Sequence, residues 1–266
     1  MTLPIYHLDF SLAKGHVRVR LNGVPVLELR NQQADPMVNF APPLNLALVG
    51  EANRLSVEML PLECDDGTLT GFGDIKIEAD LMKFEKGDIV APGEGDSILS
   101  IEIPDELRER VREEELELPL SFDLVFDNEG VSFHDEIREA APYTNESALL
   151  DYAERLRDHL AGGEVAALMH EFAPKAAAYA KAYDYDVDEI ATSIEDYLGG
   201  DFAQASPKTD FARDEIEAVP LSEGRMWELR LLSGAPLFQS EEDDEGGTLQ
   251  IPIIVGEREG SLKIVR

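Results

Sequence analysis

Along the first half of the chain, apolar and polar residues alternate with period two, the spacing that turns one face of a strand inward and the other to water. Val17, Val19 and Leu21 share a face, with Arg18 and Arg20 between them. Asn22-Gly23 follows and supplies the two positive-φ positions of a type I′ turn, so Val24-Pro25-Val26 returns as the second strand of a hairpin. Pro25 has no N–H for a ladder, which places that position at an edge or a bulge. Further strands are expected over 44–48, 55–59, 75–81, 98–103 and 122–126, and their spacing suggests an antiparallel β-sandwich. Within 104–112, Leu107 and Val111 stand four apart among charges, the pattern of a surface helix of one or two turns.

Near residue 142 the period becomes 3.6. Pro142 closes the β region, Thr144 or Asn145 is placed to cap a helix, and Leu149, Tyr152, Ala153, Leu156 and Leu160 recur at three and four. Gly162-Gly163 ends it. A second helix is expected from about 164, with Val165, Leu168, Met169 and Phe172 inward, broken or kinked at Pro174 and followed by the helix-forming run 176–182. A third begins at Asp186, where Asp186 and Glu189 have capping-box spacing, and presents Ile190, Ile194, Tyr197 and Leu198. Beyond 213 the alternation returns in 215–219, 226–231, 237–239, 249–255 and 262–265, with Trp227, Leu229 and Leu231 on one face and Met226, Glu228 and Arg230 on the other. The chain thus reads as an α+β protein of two domains. Residues 1–141 form an antiparallel β-sandwich, and 142–266 form three helices packed on an antiparallel sheet.

Charge narrows the partners. Against 55 Asp and Glu stand 23 Lys and Arg, a formal net charge of −32. Such a surface repels phosphate backbones and anionic lipid, so neither nucleic acid nor membrane is an expected partner. The excess of acid, with Arg favoured over Lys, matches a high-salt medium, where a Debye length of ~3 Å screens self-repulsion. It equally suits a basic protein partner. Cys64 is the only cysteine and sits between Glu63 and Asp65-Asp66, whose carboxylates raise a thiol pKa, so it is expected to be inert. The start of the chain lacks a basic and then apolar leader, and no stretch approaches ~18 apolar residues, which points to a cytoplasmic protein.

Three helices followed by a four-stranded meander over 145–266, with Trp227/Leu229/Leu231 and Leu249/Ile251/Ile253/Val255 as apolar strand faces, resemble the cone-shaped α+β fold of the nuclear transport factor 2-like superfamily. The resemblance implies a sheet curved around the first helix and a pocket between sheet and helices. Some members use that pocket for small-molecule chemistry with acidic or His groups inside the cone, and many use the fold for dimerisation. In the first half, Val19-Arg20-Leu21-Asn22-Gly23-Val24-Pro25-Val26, then Leu48-Val49-Gly50-Glu51-Ala52-Asn53-Arg54-Leu55-Ser56-Val57, resemble the jelly-roll sandwiches of carbohydrate-binding modules.

Candidate chemistry is sparse. Asp184, Asp186, Asp188 and Glu195 have calcium-loop spacing, but Glu189 occupies the position where the loop needs glycine, and helix capping accounts for Asp186 and Glu189. His134 beside Asp135-Glu136 and His170 beside Glu171 lack the i,i+4 His pair of a helical zinc site. Neither a glycine-flanked nucleophile nor a Gly-rich Lys loop occurs. No catalytic residue, cofactor or metal is therefore expected. Phe172, Tyr179, Tyr183 and Trp227, with His170, are the residues that would line a pocket in the cone, and the same spacing also serves a packed core. The reading that follows is a non-enzymatic binding or interaction protein that forms a homodimer through the exposed face of its C-terminal sheet. One alternative is an acidic antagonist of a basic protein, making contact through 113–115 or 241–245. The other is a small-molecule enzyme with His170, Tyr179 and Tyr183 as its polar groups.

Overall fold

A computed structural model of the chain describes residues 3–63, 67–91, 94–114, 117–129, 132–243 and 246–266. Cys64, Asp65, Asp66, Glu115, Asp244 and Glu245, which fall within the stretches named above, lie outside the described residues. The fold is α+β, and its strands pair antiparallel throughout the sheets described. The chain divides into two compact units, Met1–His134 and Asp135–Arg266.

The first unit contains β1 (Ile5–Ala13), β2 (Gly15–Leu21), β3 (Val24–Asn31), β4 (Val38–Phe40), β5 (Asn53–Leu60), β6 (Lys76–Phe84), β7 (Asp96–Ile101), helix α1 (Asp105–Glu114) and β8 (Leu120–Phe126). They form two four-stranded sheets of order β4-β1-β6-β7 and β3-β2-β5-β8. Alternation is plain in β1, where Tyr6, Leu8, Phe10 and Leu12 are at most 1% exposed. The β2–β3 hairpin turns at Asn22 and Gly23 with φ of 53° and 80°, as the Asn-Gly pair requires. Its register shifts after Val19: Leu27 pairs with Val19 but Pro25 pairs with Arg20, so Val26 is an extra residue and β3 is bulged on the open edge of its sheet.

Residues 44–48 depart from the strand expected of them. Asn45–Ala47 is a single 3-10 turn, because the Asn45 carboxamide accepts from the Tyr6 N–H at 2.9 Å and donates to the Pro4 carbonyl at 2.9 Å. That bond across 39 residues replaces a ladder. A second buried amide ties the hairpin down. Asn53, fully buried, accepts from Val49 N–H and Asn22 Nδ2 and donates to the Phe126 carbonyl and Asn128 Oδ1, so its whole hydrogen-bonding capacity is met.

The second unit contains α2 (Asp135–Glu139), α3 (Glu146–Ala161), α4 (Val165–Tyr183) and α5 (Val187–Tyr197), then β9 (Ile216–Leu221), β10 (Met226–Leu231), β11 (Phe238–Gln239), β12 (Gln250–Ile251), β13 (Ile253–Arg258) and β14 (Ser261–Ile264). Strands β9, β10, β13 and β14 form a sheet of order β14-β13-β10-β9, and β11 pairs with β12. Asn145 caps α3 by accepting from Ala148 N–H, and Asp186 caps α5 by accepting from Asp188 and Glu189 N–H. Pro174 does not break α4. It lacks the N–H that would otherwise reach the carbonyl of His170, an exposed residue.

One apolar cluster joins these elements: Leu149, Tyr152 and Leu156 from α3, Leu168 and Phe172 from α4, Trp227 and Leu229 from β10, and Ile253 and Val255 from β13. Glu228 and Arg230 lie on the opposite face of β10, where Arg230 Nε meets Glu217 at 2.7 Å. Met226, expected to face outward with them, is fully buried.

Candidate functional site

The structure separates the residues proposed for a C-terminal pocket. Phe172 and Trp227 pack in the same apolar cluster, and Trp227 Nε1 donates to the carbonyls of Tyr143 and Gly224, each at 3.1 Å. Tyr179 and Tyr183 lie further along α4, with ring centres 4.5 Å apart, and Tyr179 also stacks on Tyr185 at 6.5 Å. His170 is exposed, and it is the next residue, Glu171, that turns inward at 7% exposure. The helical face that carries Leu168 and Phe172 passes through 171 and 175 and misses 170.

Glu171 anchors a buried polar network. Tyr152 on α3 donates its hydroxyl to Glu171 Oε2 at 2.8 Å, and Lys263 on β14 places Nζ 3.2 Å from the same oxygen. Burial, and next the Glu171 charge, push the Tyr152 phenol well above its ordinary range. One turn on, Lys175 lies partly buried with Nζ 5.6 Å from the Phe172 ring centre. Burial, then the nearby Arg266 charge, bring its amine down to about 8. Periodicity shows that Glu171 faces inward with Leu168. It carries no sign of Lys263, which arrives from a strand 92 residues away.

A second constellation lies in the first unit and was not singled out from the sequence. The register pairs His16 with Arg30 and Arg18 with Glu28 across β2 and β3, so these four side chains share the outward face. His16 Nε2 lies 2.7 Å from Glu28 Oε1, and Arg18 Nε donates to Glu28 Oε2 at 3.0 Å. Arg30 Nη2 donates to Glu28 Oε1 at 3.0 Å, while Arg30 Nε stands 3.3 Å from His16 Nε2. Burial raises the Glu28 pKa, but hydrogen bonds from Arg18, His16 and Arg30 outweigh it and hold the carboxyl at about 2. The His16 imidazole is lowered, chiefly by burial.

His16 and Arg30 open on a groove of about 780 Å³. Asn31, Gln32 and Gln33 continue its polar wall, Pro36, Val38, Pro61 and Leu62 supply apolar surface, and Glu63 stands at the rim. Asn31 is committed to the fold, donating to the carbonyls of Leu12 and Pro36. A smaller cavity of about 110 Å³ lies beside His7 and Phe84, whose rings meet edge to face at 5.4 Å.

Among the described residues no three His, Cys, Asp or Glu side chains converge as metal ligands. No helix among them is long and apolar enough to cross a membrane. Comparison of the chain with protein-family models, with curated proteins and with solved structures finds no match.

Proposed function

We propose that the chain is a non-enzymatic binding protein whose recognition surface is the groove beside His16, and that its ligand is an extended polar segment of a partner protein. The observation that carries this reading is the groove itself. Its volume falls within the range of ligand sites. Polar residues, His16, Arg30, Asn31, Gln32, Gln33 and Glu63, outnumber the apolar Pro36, Val38, Pro61 and Leu62 in its lining, which suits a polar ligand. The first unit is read as a β-sandwich that displays this groove. The second is read as a cone of three helices on a curved sheet after the nuclear transport factor 2-like pattern, in a cytoplasmic protein. A homodimer through the outward face of β9, β10 and β13 belongs to the same proposal.

Selection of displayed peptides on the purified protein tests the groove. Peptides so obtained should lose about tenfold in affinity, some 1.4 kcal/mol, against Arg30→Glu. Equal affinity for wild type and variant places the binding surface elsewhere.

The net charge of −32 favours a second reading, an acidic antagonist of a basic protein. Glu241, Glu242 and Asp243 are exposed; Glu241 lies 3.5 Å from Lys208 Nζ, and Asp243 accepts from the Gly247 N–H. Association in that case is steered by charge and slows steeply as salt rises. A groove-bound peptide has no such dependence.

A further inference from the structure

His16 Nε2 has two incompatible neighbours. Glu28 Oε1, at 2.7 Å, only accepts hydrogen bonds, and Arg30 Nε, at 3.3 Å, only donates them. A ring nitrogen carries either a proton or a lone pair, so only one of the two contacts is a hydrogen bond. A lone pair held 2.7 Å from an ionised carboxylate is repelled. Arg18 and Arg30 keep that carboxylate ionised. The proton therefore sits on Nε2, and in the neutral ring the lone pair is on Nδ1. Among the described residues no donor reaches Nδ1, yet it is not one of the enclosed polar atoms that lack a partner. His16 is only 6% exposed, and Nδ1 shares the narrow opening that this leaves onto the groove the residue lines.

We propose that neutral His16 offers Nδ1 to the groove as a hydrogen-bond acceptor, held in that tautomer by Glu28, and that the group it recognises is the N–H of a peptide unit. The proposal rests on the groove being the binding surface. Arg30 completes the pair. It is held to the sheet through Nη2 on Glu28, its side chain is 63% exposed, and its remaining N–H groups are placed to receive a peptide carbonyl.

Acid reverses this recognition, because a proton on Nδ1 turns an acceptor into a donor. The charges that bear on His16 are Arg18 on its own strand and Glu28 and Arg30 on β3. Leu60 faces it from β5 and is apolar, Glu63 stands at the rim of the groove, and Lys14 is turned to Asp74 at 3.3 Å. Burial and the two guanidiniums oppose a second ring proton, the carboxylate favours it, and the balance lies below the ordinary histidine value of 6.5.

Long-range nitrogen–proton NMR on the ligand-free protein reads the tautomer directly. The Nε2–H form should dominate at pH 7.5, the ring should titrate below 6.5, and Glu28→Ala should admit the Nδ1–H form. A wild-type ring in the Nδ1–H form, or a tautomer indifferent to Glu28→Ala, overturns the proposal. Peptides selected on the groove should then weaken about tenfold for each pH unit below the His16 midpoint. His16→Gln keeps an acceptor that does not titrate and should abolish that slope, whereas an unchanged slope in His16→Gln overturns the assignment. Failure to select any peptide that senses Arg30→Glu overturns the groove reading itself, whatever the tautomer.

Discussion

The hydroxyl of Tyr152 donates to Glu171 across 2.8 Å, inside the cluster of apolar residues that joins α3 and α4 to the sheet. Lys263 reaches the same oxygen from β14, the outermost strand of that sheet. The three groups hold two helices and an edge strand in one arrangement, which apolar contacts alone specify less sharply.

Removing one partner of this pair leaves a charge buried without compensation. Glu171→Leu should cost ~3 kcal/mol or more, because Lys263 then stays inside without a counter-ion. Tyr152→Phe should cost only about 1 kcal/mol, the worth of one hydrogen bond. The double variant Glu171→Leu/Lys263→Met should recover most of the loss. Urea unfolding of these three variants, of Lys263→Met and of the wild type checks this, and additive losses in the double variant would mean that the two groups act independently.

Trp227→Ala should cost ~3–5 kcal/mol, since the indole is 8% exposed and packs with Leu229 and Val255. Its emission in the native protein should be blue-shifted and resist acrylamide. A loss below ~1 kcal/mol with the fold intact would place the ring at the surface.

Acid should weaken the fold in two windows. His16 is lowered, so the unfolded chain takes up its proton first; the stability it contributes is complete above 6.5 and declines as pH falls below that value. Glu28 is lowered from 4.5 to about 2, so its contribution is present above 4.5 and disappears between those values. Its side chain is 42% exposed, which limits the gain to ~1 kcal/mol after screening. His16 titrates in the upper window and feels Glu28 directly, so the Glu28 contribution is read in a His16→Gln background, where the stability gap between Glu28 and Glu28→Gln should be constant from pH 7 to 5 and close by pH 2. In that background a gap that widens on acidification contradicts the sign.

Thermal stability should rise from tens of millimolar to molar NaCl, because screening relieves repulsion among 55 carboxylates that 23 cations only partly offset. Calorimetry across that range decides, and a flat or falling Tm would show that the carboxylates are well separated or well paired.

What could be read beforehand follows the range of the forces involved. The Asn22-Gly23 turn, the Asn145 and Asp186 caps and the inward face of α3 depend on neighbours within four residues, and all were legible. β1 was not expected, although Tyr6, Leu8, Phe10 and Leu12 alternate directly after Pro4. The 3-10 turn at Asn45 depends on Tyr6 and Pro4, and the Glu171 network on Lys263. These partners meet only after the chain has folded. The His16 cluster was hidden differently. Its residues are ordinary strand polar positions until the β2–β3 register brings them opposite one another.

The surplus residue in β3 is the origin of that register. Val24 and Leu27 are both buried although three apart, an odd interval that a regular strand cannot turn to one side. Val26 resets the phase, so that Glu28 and Arg30 emerge beside Arg18 and His16 while Leu27 and Asn31 point inward. Deleting that one valine would act as a frameshift in space. It would carry the carboxylate and guanidinium into the interior and turn two leucines to water, erasing the site without altering any residue in it.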